Sequence, residues 1–87
     1  MPPIDWQRIA EAEMHPTRLN LLKVIHAAEG PCSPIQLSGT TGEPLGNVSY
    51  HVKKLVEGGL IELVNTEPRR GAVEHFYGMA GSTPDAH

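Results

Sequence analysis

Hydrogen-bonding and positively charged side chains cluster in the segment GNVSYHVKKL, residues 46–55. An asparagine amide pairs with adenine through two hydrogen bonds, and a serine hydroxyl bonds a base edge or a phosphate. Lysines bind phosphates or guanine, and a tyrosine offers a hydroxyl and a flat face to a thymine methyl group. The segment therefore carries chemistry suited to DNA, and the candidate contact residues are Asn47, Ser49, Tyr50, His51, Lys53 and Lys54.

The spacing of the apolar residues in this segment predicts the helix that would position those side chains. Val48, Val52 and Leu55 recur at i, i+4 and i+7, which places them on one side of a helix. We expect this helix to cover about residues 45–57, because Pro44 precedes it and Gly58-Gly59 follow it. Its outward side would hold the candidate residues, with Ser49 and His51 at its flanks.

Two further helices are predicted upstream of the 45–57 helix. The segment HPTRLNLLKVIHAAEG has Pro16 in its first turn, an apolar face and a stop signal at Gly30. Next, Ser33 and Gln36 have the spacing of a capping box, which opens a short helix that ends at Gly42. Two short helices joined by a tight glycine-containing turn predict a helix-turn-helix, whose second helix lies in the DNA major groove.

A β-hairpin is predicted after the helices, and one more helix before them. Leu60–Asn65 and the alternating segment Ala72–Tyr77 are strand-like, and TEPRRG, residues 66–71, has turn chemistry. Arg69 and Arg70 at the tip of this hairpin would reach a phosphate or a minor groove. A helix capped by Asp5 is predicted to run to about Met14.

Length, charge and composition limit the classes of protein that fit. The 87 residues suit one small domain, and the single cysteine excludes an internal disulfide and suits a reducing cytosol. No segment has the roughly 18 consecutive apolar residues of a membrane span, and the N-terminus lacks a signal-peptide pattern. The net charge of −3 argues against a non-specific coating protein. Between residues 46 and 71, however, the four positively charged residues outnumber the three negatively charged ones.

The segments HPTRLNLLKVIH, NVSYHVKKLVEGGLIEL and TEPRRGAVEHFY together resemble the winged helix-turn-helix of ArsR-type bacterial transcriptional regulators. The resemblance covers about residues 15–77. It implies that Asn47, Ser49, Tyr50 and His51 occupy DNA-reading positions, that Lys53 and Lys54 flank them, and that Arg69 and Arg70 lie on the wing.

The sequence departs from the family pattern at three points. Only Cys32 is present where many members carry paired metal-binding cysteines, and Asp85 and His87 lie in the C-terminal segment, so no metal or other cofactor is expected. The long C-terminal helix of the family dimer is absent, so dimerisation would depend on Trp6 and Ile9 of the first helix. Thr41 replaces a large apolar residue, which should weaken packing under the turn.

We therefore expect a mainly α protein with a small antiparallel β-hairpin, a winged helix-turn-helix domain over residues 1–78 and a flexible tail over residues 79–87. It should bind double-stranded DNA as a homodimer, in the cytosol and without a membrane. No set of residues predicts catalysis, so an enzyme is not expected. Two alternatives stay open: a protein-interaction module without DNA readout, and a thiol or metal sensor built on Cys32.

Overall fold

The computed structural model describes residues 15–81, which form three helices followed by a β-hairpin. The elements are α1 (Pro16–Ala27), α2 (Pro34–Thr41), α3 (Leu45–Glu57), β1 (Ile61–Arg69) and β2 (Ala72–Met79). The mainly α class, the hairpin and the 45–57 helix are thus as predicted. The helix predicted from Asp5 to Met14, with its proposed dimer residues Trp6 and Ile9, lies outside the described residues, as does most of the predicted tail.

The starts of α1 and α2 follow the capping signals in the sequence. The Nδ1 atom of His15 accepts a hydrogen bond from the Thr17 amide at 3.1 Å, and Pro16 opens the helix. The capping box at α2 is formed in both directions: the Gln36 amide donates to Ser33 Oγ at 3.2 Å, and the Ser33 amide donates to Gln36 Oε1 at 3.0 Å. These bonds satisfy amides that a helix start leaves without intrahelical partners.

The end of α1 comes three residues before the predicted stop at Gly30. Ala28 is already extended, because the chain must turn towards the hairpin, where Cys32 pairs with Tyr77 in an isolated antiparallel bridge. The two residues exchange both backbone hydrogen bonds at 2.8 Å. This bridge ties the loop between α1 and α2 to β2.

The core lies where the inward sides of the three helices meet the base of the hairpin. α1 contributes three buried residues, α2 contributes one, and α3 contributes the three apolar residues that its spacing predicted. The apolar residues of this core cluster are Leu21, Leu22, Ile25, Cys32, Leu37, Val48, Val52, Leu55 and Ile61; Phe76 is buried as well. Because each helix gives only a narrow stripe to this core, the opposite sides of α2 and α3 stay in solvent.

The hairpin is longer than the sequence predicted. β1 runs through Thr66 and Glu67 to Arg69, and the turn consists only of Arg70 and Gly71, whose φ is 75°. The prediction that residues 66–69 belong to the turn was wrong, because all four have cross-strand partners, with Pro68 opposite Val73. Proline is tolerated there because a two-stranded sheet leaves one edge of each strand unpaired. β2 likewise extends beyond Tyr77 to Met79, which pairs with Ile61.

Candidate nucleic-acid interface

The two sides of α3 differ in burial as the sequence predicted. Val48, Val52 and Leu55 are buried against α1 and α2. On the other side, Asn47, Ser49 and Lys53 are exposed, and Tyr50 is 54% exposed. The protruding side therefore presents an amide, a hydroxyl, a phenol and an ammonium group to solvent. We call this the outward side of α3.

Lys54 lies at the edge of the outward side and has two weak partners. Its Nζ atom is 5.6 Å from the centre of the Tyr50 ring and 3.5 Å from Glu57 Oε1. Both members of the ion pair are about half exposed, so the pair contributes at most about 1 kcal/mol. An incoming phosphate can therefore compete with Glu57 for the ammonium group at little cost.

His51 departs from the prediction that placed it among the DNA-contacting residues. Its side chain is only 7% exposed, because it lies on the side of α3 that faces the start of α1. The His15 ring lies 4.6 Å away between ring centroids, and Nδ1 of His51 accepts a hydrogen bond from Arg18 Nε at 3.2 Å. Burial lowers the pKa of His51, and the nearby His15 and Arg18 lower it further, against an opposing effect of Glu43. We therefore remove His51 from the set of candidate contacts.

Arg18 is the residue of this region that the sequence analysis missed. It stands 33 positions before His51, and no local pattern links the two residues. Only the folded arrangement of α1 across α3 brings the guanidinium group to the edge of the outward side.

Both predicted arginines at the hairpin tip are exposed to solvent, but they differ in their ion-pair partners. Arg69 donates a hydrogen bond to Glu67 Oε1 at 2.9 Å and forms an ion pair with Glu74, whose Oε1 lies 2.7 Å from Arg69 Nε. The hydrogen bond to Glu67, with help from Glu74, raises the pKa of the Arg69 guanidinium. Arg70 is exposed and has no ion-pair partner among residues 15–81. At this tip Arg70 is the available cation, whereas Arg69 is neutralised by its neighbours.

The turn between α2 and α3 is held by side-chain hydrogen bonds. Thr41 Oγ1 donates to the Leu37 carbonyl at 2.8 Å and accepts from the Glu43 amide at 3.2 Å. Ser38 Oγ donates to the Glu43 carbonyl at 2.6 Å, and Gly42 takes a φ of 80°. Thr41 was expected to weaken packing under the turn. That expectation about packing stays a prediction. The Thr41 hydroxyl also links the end of α2 to the turn that leads into α3.

An apolar groove of about 610 Å³ runs along the other flank of α3, beside the hairpin. Its walls include several large apolar side chains that are 38–61% exposed: Ile35, Leu45, Val56, Leu63 and Val73. Lys53, Glu57 and His75 stand at its borders. The sequence does not predict this groove, because its residues come from four elements and only the tertiary structure brings them together.

Cys32 is buried in the core, and its thiol points towards the Gly30 carbonyl at 3.7 Å. Burial raises the pKa of the thiol, so little reactive thiolate forms at neutral pH. Within residues 15–81, no three His, Cys, Asp or Glu side chains are grouped so that they could hold a metal ion. None of the described helices is long and apolar enough to cross a bilayer.

Three helices, the last of them exposed on one side, followed by an antiparallel hairpin, define a winged helix-turn-helix. The sequence of residues 14–64, more than half of the chain, matches the model of a helix-turn-helix domain family. The chain therefore belongs to that helix-turn-helix family. No protein of curated function matches the sequence.

Solved structures of bacterial regulators have the same fold. A possible ArsR-family regulator from Mycobacterium bovis, solved in solution as a homodimeric winged helix-turn-helix DNA-binding domain (fragment 1–100), is 28% identical with a TM-score of 0.60. The alignment covers 92% of this chain and 66% of that one. A crystal structure of a possible transcriptional regulatory protein fragment from the same organism gives 28% identity, a TM-score of 0.61 and coverage of 92% and 76%.

Escherichia coli MarR in its apo form shares the fold at lower sequence similarity. The identity is 12%, the TM-score is 0.68, and the alignment covers 92% of this chain but 57% of MarR. The chain thus spans little more than half the length of MarR. The likeness to MarR concerns the fold alone. The Mycobacterium bovis structures confirm the winged helix-turn-helix class and the predicted resemblance to ArsR-type regulators.

Proposed function

We propose that this protein is a transcriptional regulator that binds double-stranded DNA sequence-specifically, with α3 in the major groove and the tip of the hairpin on the flanking backbone or minor groove. The observation that carries the proposal is the division of α3 into a buried apolar side and an outward side of exposed hydrogen-bonding groups. An α-helix about 10–12 Å across fits the major groove, which is about 12 Å wide.

Each proposed contact has a distinct chemical role. Asn47, Ser49 and Tyr50 read base edges, because their exposed groups donate and accept hydrogen bonds. Lys53 and Lys54 bind phosphates or guanine at its borders. Arg70 binds backbone or minor groove at the tip, and Arg69 joins it when DNA displaces its carboxylate partners. No cofactor takes part.

We infer that the functional unit is a homodimer in a bacterial cytosol. The similar winged helix-turn-helix domain from Mycobacterium bovis is homodimeric, and two recognition helices related by a two-fold axis suit a palindromic operator. The N-terminal segment around Trp6 and Ile9 is the proposed dimer contact. Half-sites about one helical turn apart are the expected pattern.

The test begins by selecting duplexes from a random pool with the full-length protein, followed by titration of the recovered duplex at several salt concentrations. With about four phosphate contacts per protomer, log Kd should depend steeply on log salt, with about 0.9 of slope per contact. The variants Lys53→Ala, Lys54→Ala and the double variant Arg69→Ala/Arg70→Ala should each weaken binding, whereas Lys23→Ala on α1 is the matched control. Binding that all three variants leave unchanged would refute the proposal.

A separate variant tests base readout. Asn47→Ala should cost about 1–3 kcal/mol on the selected duplex and relax selectivity at one base pair per half-site. An equal loss on every duplex would mean that Asn47 contacts only the backbone.

The alternative is a protein-interaction module with the same fold. Its support is the net charge of −3 together with the large apolar side chains exposed along the groove beside α3. A module of this kind would recover no consensus duplex, and its residual DNA binding would not distinguish one sequence from another.

A further inference from the structure

The hydrogen bond between Arg18 and His51 joins the first turn of α1 to the middle of α3. Arg18 Nε donates to Nδ1 of His51 at 3.2 Å, which requires that His51 is neutral and carries its proton on Nε2. Burial lowers the pKa of His51, which favours this neutral form. The His15 ring covers the same imidazole at 4.6 Å. The histidine is therefore a fixed acceptor for one edge of the guanidinium group.

Among residues 15–81, the other donors of Arg18 have no hydrogen-bond partner, so they can bind another group. A guanidinium has five N–H donors in a rigid plane, and the bond to His51 uses only the one at Nε. Across the described residues, no carboxylate lies within ion-pair distance of Arg18. Arg18 thus differs from Arg69, whose charge is neutralised by two glutamates.

Contacts between rings place Arg18 beside the outward side of α3. His51 meets the edge of the exposed Tyr50 ring at 5.2 Å, and Lys54 lies over that ring at 5.6 Å. Arg18, His51, Tyr50 and Lys54 therefore form a continuous row from α1 across α3. Lys53 stands on the opposite flank, where it borders the groove shared with the hairpin.

The dimensions of DNA show what this row would meet. A helix nearly fills the width of the major groove, so groups on its two flanks face the phosphates of the two opposite strands. Lys53 and the hairpin occupy one flank. The other flank offers Arg18, presented from a neighbouring helix and held in place by a buried histidine.

We propose that Arg18 binds a DNA phosphate on the wall of the major groove opposite the hairpin, and that His51 is the residue that positions it. The inference rests on the proposed function, since it assumes that α3 enters the groove. It adds a contact from α1 that lies outside the recognition helix and the wing, and it gives the buried histidine a role in DNA affinity.

The first experiment measures the salt dependence of operator binding for Arg18→Gln in the full-length protein. The slope of log Kd against log salt should fall by about 0.9 per protomer, or about 1.8 for a homodimer. When salt rises from about 50 to 200 mM, the factor by which affinity falls should therefore be about ten times smaller for the variant than for the wild type. The loss should be equal for the operator and for point-mutated operators, because a phosphate contact carries no sequence information.

The control for this experiment is Lys23→Gln, which removes one positive charge from another position of the same helix. Its slope should stay at the wild-type value. If Arg18→Gln keeps the wild-type slope, or if both variants lower it equally, the proposed contact is wrong. A wild type that binds no duplex refutes the proposed function and this inference together, whereas wild-type binding with an unchanged Arg18→Gln slope refutes this inference alone.

The second experiment tests positioning with a double-mutant cycle. His51→Phe keeps an aromatic ring but has no acceptor, whereas the side-chain oxygen of His51→Asn can replace Nδ1 as the acceptor for Arg18. His51→Phe should reduce the affinity severalfold with Arg18 present and have no effect in the Arg18→Gln background. His51→Asn should retain the wild-type slope. Equal effects of His51→Phe in both backgrounds would show a structural role only and overturn the positioning argument.

Discussion

Two glutamates neutralise Arg69 at the hairpin tip, and removing their negative charges should strengthen DNA binding. Glu67 and Glu74 balance the charges of Arg69 and Arg70, so the tip is electrically neutral in the free protein. In the variant Glu67→Gln/Glu74→Gln both glutamines can still accept hydrogen bonds from Arg69, but the tip gains two positive charges. Arg69 then meets a phosphate without first losing an ionic partner.

The size of the effect follows from counterion release. Each protomer gains one phosphate contact at Arg69, so the slope of log Kd against log salt should become steeper by about 0.9, and by about 1.8 for two protomers. When the salt concentration falls fourfold, the factor by which affinity increases should be about ten times larger for the double variant than for the wild type. Stability should change little, because ion pairs between exposed side chains contribute weakly to folding.

Fluorescence anisotropy of a labelled operator, titrated at four or more salt concentrations, measures this slope directly. Glu67→Gln alone should give an intermediate slope. Glu29→Gln is its charge-matched control, since it adds the same charge in the loop after α1. If Glu29→Gln strengthens binding as much as Glu67→Gln, net charge explains the effect, and if the double variant matches the wild type, the wing does not use Arg69.

Three further predictions concern the core and its titrating groups. Leu55 is 1% exposed, so Leu55→Ala should lower the free energy of unfolding by about 2–5 kcal/mol in urea titrations. Leu63 is 48% exposed, so Leu63→Ala should change that free energy by only about 0.5 kcal/mol. Equal losses would contradict the assigned core. The pKa of His51 is lowered in the fold, so its contribution to stability is complete above its ordinary pKa of 6.5 and is lost as pH falls through the lowered value. Midpoints of thermal unfolding between pH 5 and 8 should therefore fall more on the acid side for the wild type than for His51→Asn, and parallel curves would contradict this assignment. Cys32 should react with iodoacetamide far more slowly in the folded protein than in urea, because its thiol is buried and its pKa raised; similar rates would restore the thiol-sensor alternative.

Features that depend on neighbouring residues in the sequence could be predicted well. The capping box at α2 involves only Ser33 and Gln36, and the inward stripe of α3 follows from the spacing of Val48, Val52 and Leu55. Periodicity and capping act over one or two turns, so the sequence alone carries them. The order of the elements and the helix-turn-helix followed from these local patterns, and the resemblance to ArsR-type regulators implied the winged class.

Features that depend on distant residues could not be predicted. A helical wheel places His51 at the flank of α3, and only the crossing of α1 with its Arg18 determines that the flank is buried. The partner of Arg69 on β2 depends on the strand register, which the predicted turn at residues 66–71 had placed incorrectly. In both cases the charge that a side chain shows to solvent is decided by residues that the local pattern does not include.

On α3, the residues that form the core and the residues that are exposed occupy different positions, so the exposed ones can be changed separately. Asn47 and Tyr50 are not part of the core cluster, and a methyl group added at Gly46 would meet no atom within 4 Å apart from its chain neighbours and the nearby backbone of its own helix. These three positions can be randomised together in a library while Val48, His51, Val52 and Leu55 are kept. The helix is therefore a suitable cassette for a library that tests the proposed DNA readout without changing the core.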